Sequence, residues 1–125
     1  MADRGVLIVD DDVNLRESLC EIFEISDISA SCVDSALAAL RAGTSLRPKV
    51  VITDYQLPDG NGHQVCANLK KMVCDVHVLV MTGRAFTAEE KAEGEAAGVD
   101  GYLLKPFDLA ALSGNVKKIL SGEKK

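Results

Sequence analysis

The stretch Val50-Val51-Ile52-Thr53-Asp54, followed by Tyr55-Gln56-Leu57-Pro58-Asp59-Gly60-Asn61-Gly62, decides the fold of this chain. An apolar run that stops at a carboxylate and then enters a cluster of Pro, Gly and Asn is typical of a buried strand followed by a loop. In an open parallel sheet, ligands bind outside the carboxyl ends of the strands. The sequence therefore predicts that Asp54 lies at the binding edge of such a sheet.

Three other apolar runs end in polar residues in the same way. They are Val6 to Val9 before Asp10-Asp11-Asp12, Val76 to Met81 before Thr82-Gly83, and Val99 to Leu104 before Lys105-Pro106. If these strands are parallel neighbours, their carboxylates, a hydroxyl and an ammonium group converge on one edge of the sheet. We therefore expect one polar site that combines Asp10, Asp11, Asp54, Thr82 and Lys105.

The segments between these runs have the features of helices and of one edge strand. Apolar residues recur at helical spacing, and capping residues mark the segment ends. The predicted elements are helices from about Val13 to Ile25, from Ala36 to Ala42 with Gly43 closing it, from Gly62 to Met72, from Ala88 to Gly98 and from Asp108 onward, and an edge strand from Ile28 to Val33. Five strands alternating with five helices predict an α/β fold: a doubly wound, flavodoxin-like parallel sheet with strand order 2-1-3-4-5.

Four residues carry the helix-start signals. Asp12 is placed to cap the first helix, and Asp108 the last. Thr87 and Glu90 match a capping box, in which each side chain satisfies a free backbone donor of the other residue. The helix that they open is polar nearly all round and contains Gly94, where glycine costs roughly 1 kcal/mol relative to alanine. We expect this fourth helix to be the least stable.

Size and charge limit the possible functions. At 125 residues the chain is expected to be one domain, spanning residues 1–125. A net charge of -5 and a pI near 5.0 argue against nucleic acid as a direct partner. The apolar runs are far shorter than the roughly 20 residues of a membrane span, and the first residues lack a secretory pattern, so no membrane association and a cytoplasmic location are expected.

The cysteines and histidines do not form a metal-binding or disulfide pattern in the sequence. Cys20, Cys32, Cys66 and Cys74 are scattered through apolar or amphipathic segments, without a Cys-x-x-Cys spacing. Buried free thiols are therefore the favoured interpretation. The two histidines are isolated, with His63 expected at a helix start and His77 on the fourth strand.

The convergent polar groups indicate phosphoryl chemistry. Neighbouring carboxylates repel unless a cation lies among them, and hard oxygen ligands suit magnesium, with manganese as an alternative. A lysine and a threonine opposite them would hold phosphoryl oxygens, as a charge partner and a hydrogen-bond donor. A carboxylate can itself be the nucleophile and form an aspartyl phosphate. Together the groups suggest phosphoryl transfer to an aspartate.

Over essentially its whole length, the chain resembles the receiver domains of two-component response regulators. Val9-Asp10-Asp11-Asp12 with Arg16 resembles the first acidic motif of that family, and Asp54 to Gly62 resembles its phosphoacceptor loop. Thr82-Gly83 and Tyr102-Leu-Leu-Lys105-Pro106-Phe107 resemble the switch threonine, the switch aromatic and the lysine-proline motif. Two departures, Gly60 and Asn61, concern the shape of the loop after Pro58.

The resemblance implies a role for each matching residue. Asp54 would be the phosphoacceptor, and Asp10 and Asp11 would hold Mg²⁺ together with the main-chain carbonyl of Gln56. Lys105 would pair with the phosphoryl group, while Thr82 would close onto it and Tyr102 would rotate inward. Asp12 and Asp59 are assigned to capping and turn formation.

The resemblance also implies partners. The donor would be a histidine kinase or a histidine phosphotransfer protein, and the chain would act as a switch and not as an enzyme. Its output would be binding to another protein, or to a second copy of the chain, through the face formed by the fourth helix, fifth strand and fifth helix.

Several alternatives remain open on the sequence alone. The chain could be a receiver segment of a hybrid histidine kinase or of a larger regulator. A different class would be a flavodoxin-like cofactor binder or a magnesium-dependent phosphatase, although no Gly-rich phosphate loop follows the first strand. For Tyr102, a half-buried strand aromatic and a rotating switch are equally consistent with the sequence.

Overall fold

The computed structural model describes residues 5–73 and 75–121 and contains a five-stranded parallel sheet with helices on both faces. The sheet strands are β1 (Val6–Val9), β2 (Ala30–Val33), β3 (Val50–Asp54), β6 (His77–Thr82) and β7 (Gly101–Leu104), and β4 (Gln56–Leu57) and β5 (Gly60–Asn61) form a short antiparallel pair. The helices are α1 (Val13–Ile25), α2 (Ala36–Leu46), α3 (Gly62–Met72), α4 (Ala88–Ala97) and α5 (Leu109–Leu120).

The order of the sheet is β2-β1-β3-β6-β7. Counting only these strands along the chain, this is the predicted order 2-1-3-4-5, so the flavodoxin-like topology is confirmed. The order reverses between β1 and β3, which pair in parallel with Val9 opposite Thr53. The residues that follow these two strands therefore meet at the switch point of the sheet.

The core has two layers, one on each face of the sheet. Side chains alternate along each strand, so Ile8 packs with Phe23 and Val116 beneath α1 and α5, whereas Leu7 packs with Leu69 beneath α2 and α3. Each of these fully buried large side chains contributes about 1.5–3 kcal/mol through removal of apolar surface from water. The central strands are thereby fixed, and so is the position of their carboxyl ends.

The helix caps agree with the sequence pattern. Asp12 accepts hydrogen bonds from the backbone N–H groups of Asn14 and Leu15, and Asp108 caps α5 in the same manner. The Thr87–Glu90 capping box is present at the start of α4, and Gly98 ends that helix with a φ of 88°. In α4 the buried residue is Gly94, and the other residues of the helix are exposed or half-buried.

The predicted end of α2 is wrong. Gly43 does not close the helix, which continues to Leu46 with Arg47 as its left-handed cap. Gly43 is buried, and a Cβ at this position would overlap Leu69 Cδ2 of α3. The glycine is therefore explained by close packing of two helices, not by helix termination.

The cysteines are only partly as expected. The structure joins Cys20 of α1 to Cys32 of β2 by a disulfide, which corrects the prediction of free thiols for this pair. The two residues meet because α1 packs over the strand that follows it, a contact that their spacing in the sequence does not reveal. Cys66 is free and buried as predicted, and Cys74 lies outside the described residues.

None of the helices in the described part of the chain has the length and apolar character needed to cross a membrane.

Candidate functional site

Asp10 forms the buried floor of the site. It follows the last residue of β1 and is 0% exposed. Its Oδ1 accepts a hydrogen bond of 2.8 Å from the Asp12 backbone N–H, whereas its buried Oδ2 has no hydrogen-bond partner among the described residues. Burial raises the pKa of Asp10 to about 6; the Asp12 hydrogen bond opposes this rise, and the Asp54 carboxylate adds to it. A buried carboxylate oxygen without a donor is a position that a cation would fill.

Asp11 and Asp54 complete an acidic cluster around this oxygen. Each of the three residues offers a carboxylate oxygen, and these atoms lie within 4.8 Å of one another. The parallel pairing of β1 with β3 brings them together, since Asp54 is the last residue of β3. Hard oxygen ligands at this spacing fit a divalent cation such as Mg²⁺. The acidic group that the sequence predicts is thus assembled in the structure.

Lys105 approaches this cluster from the other side of the sheet edge. Its Nζ lies 3.4 Å from Asp54 Oδ2 and 3.8 Å from Asp10 Oδ2. Its backbone N–H donates to the Thr82 carbonyl at 2.8 Å, which ties the residue after β7 to the end of β6. A cavity of about 360 Å³ opens beside these groups, lined by Asp54, Tyr55, Gln56, Thr82, Gly83, Arg84 and Lys105.

Gln56 reaches the cavity on a short hairpin that the sequence did not predict. Gln56 of β4 pairs with Asn61 of β5, and Asp59 lies in the turn between them. The Asp59 carboxylate accepts hydrogen bonds from the backbone N–H groups of Ala36 (2.7 Å) and Leu37 (3.0 Å), which lower the pKa of Asp59. Asp59 thus caps the start of α2 and anchors the hairpin to it.

Thr82 lines the cavity, but its hydroxyl is engaged with its own loop. Oγ1 donates to the Arg84 carbonyl at 2.9 Å and accepts from the Arg84 N–H at 3.2 Å. The Arg84 guanidinium forms two hydrogen bonds with Glu90, at 2.9 and 2.8 Å. These bonds hold the pKa of Glu90 at about 2. The loop after β6 is therefore closed on itself and clamped to the first turn of α4.

Tyr102 lies outside the lining of that cavity. It lines a second, largely apolar groove of about 370 Å³, which it shares with Thr82, Phe86 and Leu104. Its hydroxyl lies 3.0 Å from Nε2 of His63. Thr82 is common to both cavities and connects the acidic site to the Tyr102 groove.

Three features of this region escaped the sequence analysis: the anchoring of Asp59 to α2, the Arg84–Glu90 pair, and the contact of His63 with Tyr102. The capping box located Glu90, but nothing in the local pattern pointed to Arg84 as its partner. His63 and Tyr102 are 39 residues apart, so helical or strand periodicity could not connect them.

Fold and site together define a class of protein: an open parallel α/β domain with an acidic, cation-fitting cluster and a lysine beside an accessible aspartate. A model of the response regulator receiver domain matches residues 6–117. The chain belongs to this family. The family receives phosphoryl groups in two-component signalling, and histidine kinases are its usual partners.

Individual relatives agree with this assignment. The chain is 36% identical over 115 residues to the transcriptional regulatory protein PrrA of Mycobacterium leprae, covering 92% of this chain and 49% of that protein. It is 34% identical to the response regulator MprA of Mycobacterium sp. (strain KMS), with 92% and 50% covered. The chain therefore spans about half the length of these curated relatives.

A solved structure gives the same result for the fold. The CheY-like response regulator receiver domain protein from Methanospirillum hungatei JF-1 superposes with a TM-score of 0.88 at 25% identity, covering 97% of this chain and 96% of that one.

Proposed function

We propose that Asp54 accepts a phosphoryl group from a phosphohistidine and that this modification changes the protein-binding surface of the domain. The observation that carries the proposal is the Lys105 ammonium group, 3.4 Å from Asp54 Oδ2 at the edge of an open cavity. A lysine in this position offsets the charge of a phosphoryl group on Asp54, which brings about two negative charges.

The reaction is a displacement at phosphorus. An Asp54 carboxylate oxygen attacks, the new O–P bond forms as the N–P bond of the phosphohistidine breaks, and the leaving imidazole takes up a proton. Asp10 and Asp11, with the main-chain carbonyl of Gln56, would hold a divalent cation. The buried Oδ2 of Asp10, which makes no hydrogen bond among the described residues, supports this proposal. Mg²⁺, or Mn²⁺ in its place, would supply charge neutralisation for the transferring group.

Thr82 and Tyr102 are proposed to convert the modification into a change of surface. Thr82 would leave the Arg84 carbonyl and donate to the phosphoryl group, which would shift the loop before α4. Tyr102 and Leu104, 42% and 60% exposed, lie on the β7 part of the α4–β7–α5 face. We propose this face as the binding surface for a downstream protein or for a second copy of the chain.

The donor would be a histidine kinase or a histidine phosphotransfer protein, and residues 1–125 would form one cytoplasmic receiver domain. Direct contact with nucleic acid is not proposed for this acidic chain. The alternative is a receiver segment of a larger regulator, in line with relatives about twice as long, or of a hybrid histidine kinase. The length of the native gene would decide between these and a separate receiver.

Intact-mass measurement tests the proposal. The chain incubated with acetyl phosphate and Mg²⁺ should gain the mass of one phosphoryl group, and Asp54→Asn should not. Asp12→Asn is the matched control, since it makes the same change in a neighbouring carboxylate whose hydrogen bonds cap α1, and it should be labelled like the parent. Equal labelling of Asp54→Asn and the parent would refute the assignment.

A further inference from the structure

The Tyr102 side chain connects the protein surface with a buried histidine. Tyr102 as a whole is 42% exposed, yet its hydroxyl lies 3.0 Å from Nε2 of His63, which is 4% exposed. His63 belongs to the first turn of α3, directly after Gly62. The phenol therefore points inward, between α3 and α4, which is the position that the resemblance to receiver domains gives Tyr102 when Thr82 closes onto the phosphoryl group.

Gly94 makes room for this arrangement. A Cβ at residue 94 would overlap the Tyr102 hydroxyl and lie 2.9 Å from His63 Nε2. Glycine inside a helix is unfavourable relative to alanine, and the space that the Tyr102 hydroxyl needs explains its burial in the polar helix α4. The inward Tyr102 needs a helix position without a side chain.

Two further rings enclose the histidine. The Tyr55 ring centroid lies 4.9 Å from that of His63, and Phe86 lies 5.2 Å from both His63 and Tyr102. Tyr55 follows Asp54 in the sequence, and Phe86 belongs to the loop that links Thr82 to α4. The cluster thus connects the Tyr102 hydroxyl both to the acidic site and to the loop after β6.

The chemistry of His63 suits a hydrogen-bond acceptor at Nε2. Burial lowers the pKa of His63, although Glu93 and Glu90 on α4 oppose this effect, so the neutral ring is favoured. The other nitrogen, Nδ1, lies 3.9 Å from Glu93 Oε1. Nδ1 makes no hydrogen bond among the described residues. With the ring proton on Nδ1, Nε2 accepts a hydrogen bond from the Tyr102 hydroxyl.

We propose that His63 is a positioning residue: together with Gly94 it provides the bound position of the inward Tyr102 hydroxyl and so sets how readily the α4–β7 surface takes the form with Tyr102 inward. The inference rests on the proposed function for one point, the participation of Tyr102 in the switch. The loop movement at Thr82 then acts on a tyrosine that already has a bound position, and His63 sets the fraction of molecules that hold it there.

Exposure of the Tyr102 ring in the unphosphorylated protein tests the proposal. With only two tyrosines in the chain, isotope-labelled tyrosine ring signals report separately on Tyr102 and on Tyr55 as an internal reference. In His63→Leu, the ratio of inward to outward Tyr102 should fall about fivefold, as expected for loss of one buried hydrogen bond. In Gly94→Ala the ring should move outward almost completely.

Gly114→Ala is the matched control for the second variant. Gly114 lies in α5, and a Cβ at this position would have no atom within 4 Å among the described residues, so the substitution makes the same change in a helix without displacing a neighbour. It should leave the Tyr102 signals as in the parent. Equal Tyr102 exposure in the parent, His63→Leu and Gly94→Ala would overturn the proposal.

Tyr102→Phe provides a test that does not alter the histidine side chain. In the parent, ¹⁵N spectra should show His63 with its proton on Nδ1, and loss of the phenol hydroxyl should raise the share of the Nε2–H form. An unchanged His63 spectrum would overturn the proposal. Labelling of Asp54 by acetyl phosphate is measured in the parent, so failure of the proposed function would appear in that mass measurement and failure of the Tyr102 position in the spectra.

Discussion

The two sides of the cavity that Asp54 lines are built by different means. On the acidic side, Asp10 and Asp54 end strands whose residues are almost all buried, and Asp59 ties the adjoining hairpin to α2. On the opposite side, Thr82 bonds to its own loop, and polar contacts, including the Arg84–Glu90 pair, fasten α4. Core packing fixes the acidic side. The Thr82 side is held by hydrogen bonds and a salt bridge, whose groups can change partners with little loss of free energy.

The difference would allow the proposed modification to act on one part of the surface. Packed strands resist displacement, so a phosphoryl group on Asp54 would meet a fixed acidic side. The helix α4 contributes Gly94 to the interior and exposes most of its other residues. A change in the partner of Thr82 should therefore be transmitted through α4 and β7 and not through α1 or α2.

The largest expected effect is a change in hydrogen exchange on the Thr82 side of the cavity, with little change on the acidic side. Beryllofluoride, a stable mimic of the phosphoryl group, should change hydrogen exchange mainly from about Gly83 to Phe107. Reversing a population ratio from 1:99 to 99:1 requires about 5.5 kcal/mol of differential interaction, so a difference of this order would move most molecules from one form to the other. The measurement is hydrogen exchange with and without the mimic.

Thr82 substitutions provide the control for this experiment. Thr82→Ala should still be labelled at Asp54 but should transmit much less of the exchange change, while Thr82→Ser, which keeps the hydroxyl, should restore it. Changes centred on α1 and α2, or undiminished changes in Thr82→Ala, would mean that the protein does not switch through the threonine.

The next effect concerns the acidic side alone. Mg²⁺ should stabilise the fold by mass action, by about 2.7 kcal/mol at a concentration one hundred times its dissociation constant. Asp11→Asn should weaken that binding and, by relieving repulsion with Asp10 and Asp54, should raise the stability of the metal-free protein. Thermal unfolding with and without Mg²⁺ measures both effects. If millimolar Mg²⁺ does not change the thermal unfolding midpoint of the parent protein, there is no metal site at this cluster.

The smallest effect tests whether the hairpin anchor belongs to the fixed side. Asp59→Ala removes the two hydrogen bonds to the α2 N-terminus and should weaken Mg²⁺ binding a few-fold, because Gln56 lies on the released hairpin. Ser35→Ala is the control: Ser35 caps the same helix through Ala38 but does not touch the hairpin in the described contacts. Equal loss of Mg²⁺ affinity in both variants would show that α2, and not the anchor, is responsible.

The sequence by itself determined the five helices and the five strands of the large sheet, with their order along the chain, but not the β4–β5 hairpin. Apolar periodicity gave the bounds of β1, β3, α1 and α3, and capping residues such as Asp12 and Thr87 gave the helix starts. The carboxylates at the ends of β1 and β3 could be placed together because parallel strands bring their carboxyl ends to one edge. The resemblance to receiver domains then supplied expected roles for Asp54, Thr82 and Lys105, which remain predictions.

Tertiary structure alone decided the contacts between residues that are distant in the sequence. Gly43 has the appearance of a helix end, but the approach of Leu69 accounts for it. Gly94 has the appearance of a weak point in α4, but the inward Tyr102 accounts for it. Local pattern reports what a residue does within its own helix or strand, whereas these roles depend on which neighbour the packing of two elements brings within a few ångströms. His63 became a partner of Tyr102 only when α3, α4 and β7 were packed together.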